Sequence, residues 1–299
     1  MIIYSMQKGL NVVFTIICIN SGILLGSESD KKVIDALTKK FQQEYQAQVA
    51  DKEINDLAQN ILKKCGISRS VIILQNKNIS DCCVVAVPFK HPQEFMIVGT
   101  ADKRSIKQQK SINLITAHIY HETGHIANDD ASRKARISRI ILGGGMILGS
   151  GCAVAYKSFQ SSGNIGIAGL MGFGAMLAAI PIEALTFMYQ SRHREMHADK
   201  FMYEHMIQHG KIASVITEIH SRMSQQEDEL PEFLNDHPSS RIRAGIGIYC
   251  LQKNGIKIKD LLQNLPADLD EELKKDFRKQ IERRCSALLE KENNLAKYY

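Results

Sequence analysis

Isoleucines recur at helical spacing along residues 111–128, a stretch that contains no proline. They stand at Ile112, Ile115, Ile119 and Ile126. Because these intervals bring side chains to one side of an α-helix, the pattern predicts a helix packed against a core.

Two nearly uncharged stretches follow, residues 140–156 and 165–182, joined by a short polar loop at 157–164. Each approaches the length of about 20 residues with which a helix crosses a bilayer. Both are rich in glycine, and Gly145 and Gly149 stand four residues apart, which allows close helix–helix approach in lipid. We therefore predict an apolar helical hairpin at 140–182 in or through a membrane; the alternative is a buried hairpin in a soluble core.

A third apolar stretch, residues 10–26, follows Lys8 and predicts that segment 1–29 is a signal peptide or an uncleaved membrane anchor. The basic residues beside the hairpin favour a cytoplasmic location for its flanks, whereas a cleaved signal would place them outside. These residues are Arg133, Lys134, Arg136, Arg139, Arg192 and Arg194, against Lys157 in the loop. The sequence thus predicts a protein of the cytoplasmic (inner) membrane and leaves the side of its catalytic part open.

The rest of the chain predicts helices around a small sheet. Apolar residues in helical phase mark residues 30–66, and a helix is also expected from Asp199 to about Ser224. Three short strands are expected between Asn, Asp and Pro breakers, at 71–74, 82–87 and 95–100. An apolar stripe marks one face of a charged C-terminal helix: Leu269, Leu273, Phe277, Ile281, Cys285 and Leu288.

The first helix carries His121-Glu122-Thr123-Gly124-His125. Residues four apart lie on one helical face, so both imidazoles point to a common spot where they can bind a metal. Glu122 projects beside them and can act as general base toward a water molecule on that metal. This arrangement of residue types predicts a hydrolytic zinc site.

A catalytic zinc ion usually takes three protein ligands and keeps one position open. The segment Ser191–Asp199 offers the best third ligand, because Glu195 and Asp199 also share a helical face. Glu195 could bind the metal while Asp199 accepts a hydrogen bond from the far ring nitrogen of a ligand histidine. His193 and His197 are the competing candidates for the third position.

Together, the His-Glu-Thr-Gly-His segment and the Ser-Arg-x-x-Glu-x-x-Ala-Asp segment (191–199) resemble the HtpX-like and CAAX-prenyl-protease-like zinc endopeptidases, which are gluzincins. The segment His237-Pro-Ser-Ser-Arg241-Ile also resembles that family, with fewer residues between Pro and Arg than the family usually has. Membrane segments also lie between these motifs in HtpX-like proteins. The resemblance extends over about residues 50–250.

This resemblance implies one zinc ion per subunit, held by His121, His125 and Glu195, with Glu122 as the general base. It places His237 near the open zinc position, as an oxyanion donor or a reversible fourth ligand. Asp199 and Arg241 are then expected to support the ligands from outside. The resemblance also implies polypeptide substrates, including damaged or misfolded membrane proteins.

Composition narrows the remaining possibilities. The net charge of +6 is modest, and the basic residues are spread out rather than interleaved with aromatics, which argues against nucleic-acid binding and fits contact with anionic lipid. The seven cysteines form no C-x-x-C pair, so buried free thiols are expected, although one bridge between Cys65 and Cys82 or Cys83 stays open. His205 and His209 are interpreted as ordinary helix residues.

The sequence therefore predicts an α+β, mostly helical protein with a zincin-like metallopeptidase domain. This domain is expected to span residues 30–255 with the hairpin inserted, ahead of a C-terminal helical region at 256–299. The predicted function is that of a membrane-associated zinc endopeptidase; the alternative is a zinc-binding membrane scaffold or chaperone with a latent active site. The oligomeric state is left open.

Overall fold

A computed structural model describes residues 46–77, 82–87, 93–100, 109–128, 133–225 and 237–295, together with 35–36, 38–39 and 42–43. The chain divides into two units, Met1–Gln46 and Ala47–Tyr299, and the account below concerns the second. The predicted signal or anchor at 1–29 lies outside the described residues.

A four-stranded sheet precedes the helices. Its strands are β1 (Gln48–Val49), β2 (Val71–Asn76), β3 (Cys83–Val87) and β4 (Gln93–Gly99). They lie in the order β1-β2-β4-β3, with β2 and β4 parallel and both outer pairs antiparallel. The three predicted strands are confirmed with small shifts of their ends, whereas two-residue β1 was too short to show in the sequence.

The helix predicted over residues 30–66 is wrong between 46 and 51, where β1 pairs with β2. Helix α1 (Lys52–Lys64) begins only after this pairing. Asp51 caps it, because its side chain accepts a hydrogen bond from the Ile54 amide at 3.2 Å. The backbone amide of Asp51 donates to the Gln75 side chain on β2, at 3.1 Å. Sheet pairing and capping thus override the helical periodicity.

The remaining helices are α2 (Gln109–Ala127), α3 (Arg133–Ser162), α4 (Ile165–Gln208), α5 (Ile212–Ser224), α6 (Ser240–Lys253), α7 (Ile258–Gln263) and α8 (Glu271–Leu295). Helix α2 is central, since it contacts α1, α4, α5, β3 and β4. Arg69 fixes the end of α2 to the sheet: its guanidinium donates to the Ile126 carbonyl and pairs with Glu94 at 2.9 Å. The helix predicted from the isoleucine pattern is therefore the core helix of the domain.

The predicted hairpin corresponds to α3 and the first half of α4. Its connection is only Gly163–Asn164, much shorter than the polar loop expected from the sequence, because α3 continues to Ser162. Gly163 adopts φ +65°, and the Asn164 side chain accepts from the amide of Gly166, which caps α4.

Close packing of α3 on α4 occurs at Gly151 and Gly172. A Cβ on Gly172 would lie 2.8 Å from the Gly151 carbonyl oxygen and 2.8 Å from the Ala155 Cβ. Gly145 and Gly149, singled out in the sequence, instead have open space where a Cβ would stand. Small residues therefore bring the two helices together as predicted, but at a different pair of glycines.

Helix α4 is a single helix of 44 residues, with Pro181 inside it, that joins the apolar stretch to the Glu195 segment. In the part of the chain that the structure describes, it is the one helix long and apolar enough to cross a membrane, by length and composition, and little of its apolar window is buried. Its large exposed apolar residues include Ile165, Leu170, Phe173, Leu177, Ile180, Ile182, Phe187 and Tyr189.

The helix expected from Asp199 to Ser224 is interrupted at Gly210, whose φ of +69° ends α4 before α5 begins. The C-terminal stripe packs inward as predicted as far as Ile281, since Leu269, Leu273, Phe277 and Ile281 are buried. The side chains of Cys285 and Leu288 lie outside the described residues.

Helix α6 packs tightly against α4 and α5 through Gly247. A Cβ there would lie 2.7 Å from the Ile219 side chain and 2.8 Å from the Tyr203 ring. Gly245, two residues earlier on the same helix, has no atom within 4 Å of its hypothetical Cβ.

This contrast predicts opposite effects of the same substitution at two neighbouring positions. Gly247→Ala should lower the free energy of unfolding by about 1–3 kcal/mol, because the added methyl overpacks the interface. Gly245→Ala should raise it by up to about 1 kcal/mol, since alanine is the better helix former. The measurement is thermal unfolding followed by circular dichroism; a Gly247→Ala protein as stable as the parent would contradict this packing.

Candidate metal centre

Helix α2 presents His121 and His125 to one spot. The two residues stand one turn apart, and their Nε2 atoms lie 3.2 Å from each other. His121 is buried and His125 is half-buried. The Thr123 hydroxyl, between them in sequence, donates to the Ile119 carbonyl of the same helix at 2.7 Å.

Gly124 allows α4 to approach this part of α2. A Cβ on Gly124 would lie 3.0 Å from the Cα of Ala198 and 3.1 Å from its carbonyl oxygen. The backbones therefore nearly touch, and Glu195 and Asp199 on α4 reach the histidines. Glycine at this place in the motif serves packing, because any side chain would push the two helices apart.

Glu195 on α4 completes a cluster of three potential ligands. Its Oε2 lies 3.3 Å from His121 Nε2, and its Oε1 lies 3.3 Å from His125 Nε2. The Glu195 side chain is only 15% exposed. His121, His125 and Glu195 form one of two groups of metal-ligating side chains found among the described residues.

The donor atoms of this cluster fit a zinc ion. Zinc bonds nitrogen and oxygen at about 2.0–2.1 Å in tetrahedral sites, which places neighbouring donors about 3.3 Å apart. The spacings here have that size: 3.2 Å between the two Nε2 atoms, and 3.3 Å from each Nε2 atom to a different oxygen of the Glu195 carboxylate. Two imidazoles and one carboxylate are also a ligand set typical of catalytic zinc.

Asp199 orients the first of these ligands. Its Oδ1 lies 2.9 Å from His121 Nδ1, and the carboxylate is fully buried. The Nδ1–H of His121 therefore donates to Asp199, which leaves Nε2, the nitrogen that faces His125 and Glu195, for a metal. The tautomer that a metal requires is set by this bond.

Arg243 on α6 holds the other side of Asp199. Its Nε lies 2.7 Å from Oδ2 and its Nη2 lies 2.6 Å from Oδ1, a bidentate pair buried from solvent. The same Nη2 is 4.0 Å from Glu195 Oε2. Helices α2, α4 and α6 thus meet through one carboxylate.

These contacts shift the pKa values of Asp199, Glu195 and His121. Burial raises the pKa of Asp199, but Arg243 and His121 outweigh it and lower the pKa to about 2. Burial also opposes ionisation of Glu195, yet hydrogen bonds from His121, His125 and His237 hold its pKa well below its usual range. Burial disfavours a charged His121, whereas Asp199 and Glu195 favour it and raise its pKa to about 9. With no metal bound, His121 is therefore protonated on both ring nitrogens, as a positively charged imidazolium, at neutral pH.

The structure places the other predicted site residues at different distances from this cluster. Glu122, which follows His121 in the sequence, is buried, and its negative charge helps to raise the pKa of His121. His237 lies at the solvent side, 59% exposed, with Nδ1 3.5 Å from Glu195 Oε2. His193 and His197 pair with each other instead, at 3.1 Å between their Nε2 atoms, on an exposed part of α4.

Sequence reasoning missed Arg243 and chose Arg241, which is exposed. The short Pro-to-Arg spacing was the available signal, because the second arginine, two residues later, lengthens that spacing. The start of α6 explains why Arg243 rather than Arg241 points inward. Ser239 caps α6 by accepting from the Ile242 amide, and the helical phase that follows turns Arg243 inward. Only the buried carboxylate of Asp199 shows which arginine is used.

Comparison with known proteins agrees with this geometry. Residues 106–245 match the family model of Peptidase family M48. The matched range includes all three proposed ligands, Asp199 and Arg243, and it begins after the sheet. The match supports an M48 metallopeptidase domain, a hydrolase type that is typically zinc-dependent. Searches of curated proteins and of solved structures gave no match.

The Arg243–Asp199 pair should govern zinc retention. Arg243→Met leaves a buried carboxylate without its cation, which should lower the free energy of unfolding by about 3–5 kcal/mol. Disturbing the partner of a ligand histidine should also weaken zinc binding by about 10–100-fold. Zinc competition with a chelator measures the affinity, and Arg241→Met on the same helix is the matched control. Equal zinc affinities of the two variants would contradict the role of Arg243.

Zinc binding should strengthen as pH rises. The proton on His121 competes with the metal below its pKa of about 9, so the apparent affinity should rise about tenfold per pH unit between pH 6.5 and 8.5. Asp199→Asn removes the negative charge that raises this pKa and should flatten the dependence near pH 8. Chelator competition at several pH values measures the slope; an equally steep slope in Asp199→Asn would refute this origin.

Proposed function

We propose that this protein is a membrane-associated zinc endopeptidase of the HtpX-like type, with a zincin-like domain. The observation that carries the proposal is the cluster of the His121 and His125 Nε2 atoms with the Glu195 carboxylate, at spacings that suit one zinc ion. The second observation is that Asp199 and Arg243 support this cluster through hydrogen bonds. The M48 match supports the class of enzyme, and the finer assignment is ours.

The proposed reaction is hydrolysis of a peptide bond by water. When bound, zinc polarises the scissile carbonyl and makes water a stronger nucleophile at neutral pH. Glu122 takes the proton of the attacking water and passes it to the leaving amine nitrogen. Its position between the two ligand histidines in sequence, and its burial, suit this role.

His237 is proposed to act on the oxyanion. It is exposed at the open side of the cluster, while its Nδ1 remains within 3.5 Å of Glu195. From there its ring can donate a hydrogen bond to the developing negative charge, or bind the metal as a further ligand between turnovers.

Strand β3 is the proposed binding site for an extended substrate. It forms an edge of the sheet, after β4, and it contacts the metal-binding helix α2. An edge strand can pair with a peptide backbone, which would lay the scissile bond along the cluster. Polypeptides in extended form, including unfolded segments of membrane proteins, are therefore the proposed substrates.

Lipid contact is proposed for the hairpin of α3 and α4. The apolar part of α4 is mostly exposed, and large side chains such as Leu170, Phe173 and Ile182 are more than half exposed. So large an apolar surface requires an apolar surrounding. The proposed role is quality control of membrane proteins, cleaved beside the lipid.

The deciding experiment is digestion of unfolded casein by the purified protein in detergent. Glu122→Gln should keep zinc and lose about 10²–10⁴-fold of the cleavage rate, because it removes the general base and no ligand. The control Glu204→Gln, on α4 outside the cluster, should cleave like the parent. A chelator should stop the parent reversibly.

Two results would contradict the proposal. Cleavage by Glu122→Gln at the parental rate would remove the assigned base. Casein binding without fragments, by a protein whose His121, His125 and Glu195 cluster holds zinc, would favour the alternative of a zinc-bearing scaffold.

A further inference from the structure

A second group of metal-ligating side chains lies away from the centre described above. Cys65 closes the C-terminal end of α1, and His205 and His209 stand one turn apart near the end of α4. One ligand atom from each of the three residues lies within 4.8 Å of the others. Two helices distant in sequence thus bring one sulfur and two imidazoles together.

The surroundings hold both imidazoles in place. The Tyr120 hydroxyl lies 2.8 Å from His209 Nδ1, and the ring of Phe201 packs on His205 with centroids 4.1 Å apart. When His209 Nδ1–H donates to Tyr120, its Nε2 lone pair is left for another partner. Metal-binding histidines are typically oriented by such a bond on the far nitrogen.

One ring nitrogen of the group lacks a hydrogen-bond partner among the described residues. His205 Nδ1 is buried and finds no hydrogen-bond partner in the part of the chain that the structure describes. A buried ring nitrogen without a partner is unfavourable, because it has lost its hydrogen bonds to water. A metal ion bound through Nδ1 would satisfy this nitrogen, whereas packing alone leaves it without a partner among the described residues.

We propose that Cys65, His205 and His209 form a second zinc site, independent of the proposed peptidase activity. A thiolate with two imidazoles is a soft ligand set that suits zinc. On binding, the sulfur forms a bond to the metal and releases its proton to solvent. The site would tie the end of α1 to the end of α4, with one zinc position left for water.

The two sites share α4 but are separate. His205 stands ten residues after Glu195, a rise of about 15 Å along a helix. They also differ in chemistry, since the first cluster offers nitrogen and oxygen and the second offers sulfur. That difference gives a spectroscopic means of telling them apart.

The experiment uses the full chain in detergent, stripped of metal and reloaded with cobalt(II) as the probe. The parent should bind two equivalents and show a thiolate-to-cobalt charge-transfer band in the near ultraviolet. Cys65→Ser should bind one equivalent and lose the band. Cys152→Ser, at an exposed cysteine on α3, is the matched control and should keep both.

A variant of the first centre separates the two proposals. His125→Ala should lose one equivalent and keep the thiolate band, whatever the protein does to casein. If Cys65→Ser fails to fold, His209→Gln replaces it as the test. This substitution lies at a half-buried position near the helix end and should also remove the band. The proposal is overturned if the parent binds a single equivalent without the band, or if the band persists in folded Cys65→Ser or His209→Gln.

Discussion

The carboxylate of Asp199 is the group on which the candidate metal centre depends. It is fully buried, and it accepts from His121 on α2 and from Arg243 on α6 while it belongs to α4. A buried carboxylate is tolerated only with such partners, so the position of each helix is tied to the other two. The same interaction chooses the tautomer of His121. Helix arrangement and ligand chemistry are therefore fixed by one charge.

Two close contacts make that arrangement sterically possible. At Gly124 the backbones of α2 and α4 nearly touch, and at Gly247 the backbone of α6 lies against Ile219 and Tyr203. A methyl group at Gly124 would require the α4 backbone to shift by a few tenths of an ångström, and one at Gly247 would require the side chains of Ile219 and Tyr203 to move. The glycines thus help to place the candidate ligands although neither carries a ligand atom.

The sequence predicted those features that depend on local spacing. The His-Glu-x-x-His helix and the Glu195–Asp199 face follow from helical spacing, and three of the four strands follow from short stretches between breaker residues; neither signal needs knowledge of the fold. Features set by contacts between distant residues were not predictable in this way. Arg243 was missed because only the burial of Asp199 distinguishes it from Arg241. The break before α1 was missed because β1 exists only through its pairing with β2.

The cluster at Cys65 was missed for the same reason. His205 and His209 have the spacing of a metal pair, but their third partner comes from a different helix some 140 residues earlier. No local pattern connects a helix-capping cysteine with the end of another helix. The first cluster was visible in the sequence because each of its two helices carries a recognisable segment, whereas the second has metal-pair spacing on one helix only.

The uninterrupted course of α4 has a mechanical consequence. Thirty residues separate Ile165 from Glu195 along one helix, a length of about 45 Å. A rigid rod of this kind transmits tilt and rotation from one end to the other, with Pro181 as its weakest point. If the apolar end is embedded in lipid, then bilayer thickness sets the angle at which the carboxylate of Glu195 meets the histidines. Hydrophobic mismatch would then tune coordination from a distance, without any ligand reaching the centre.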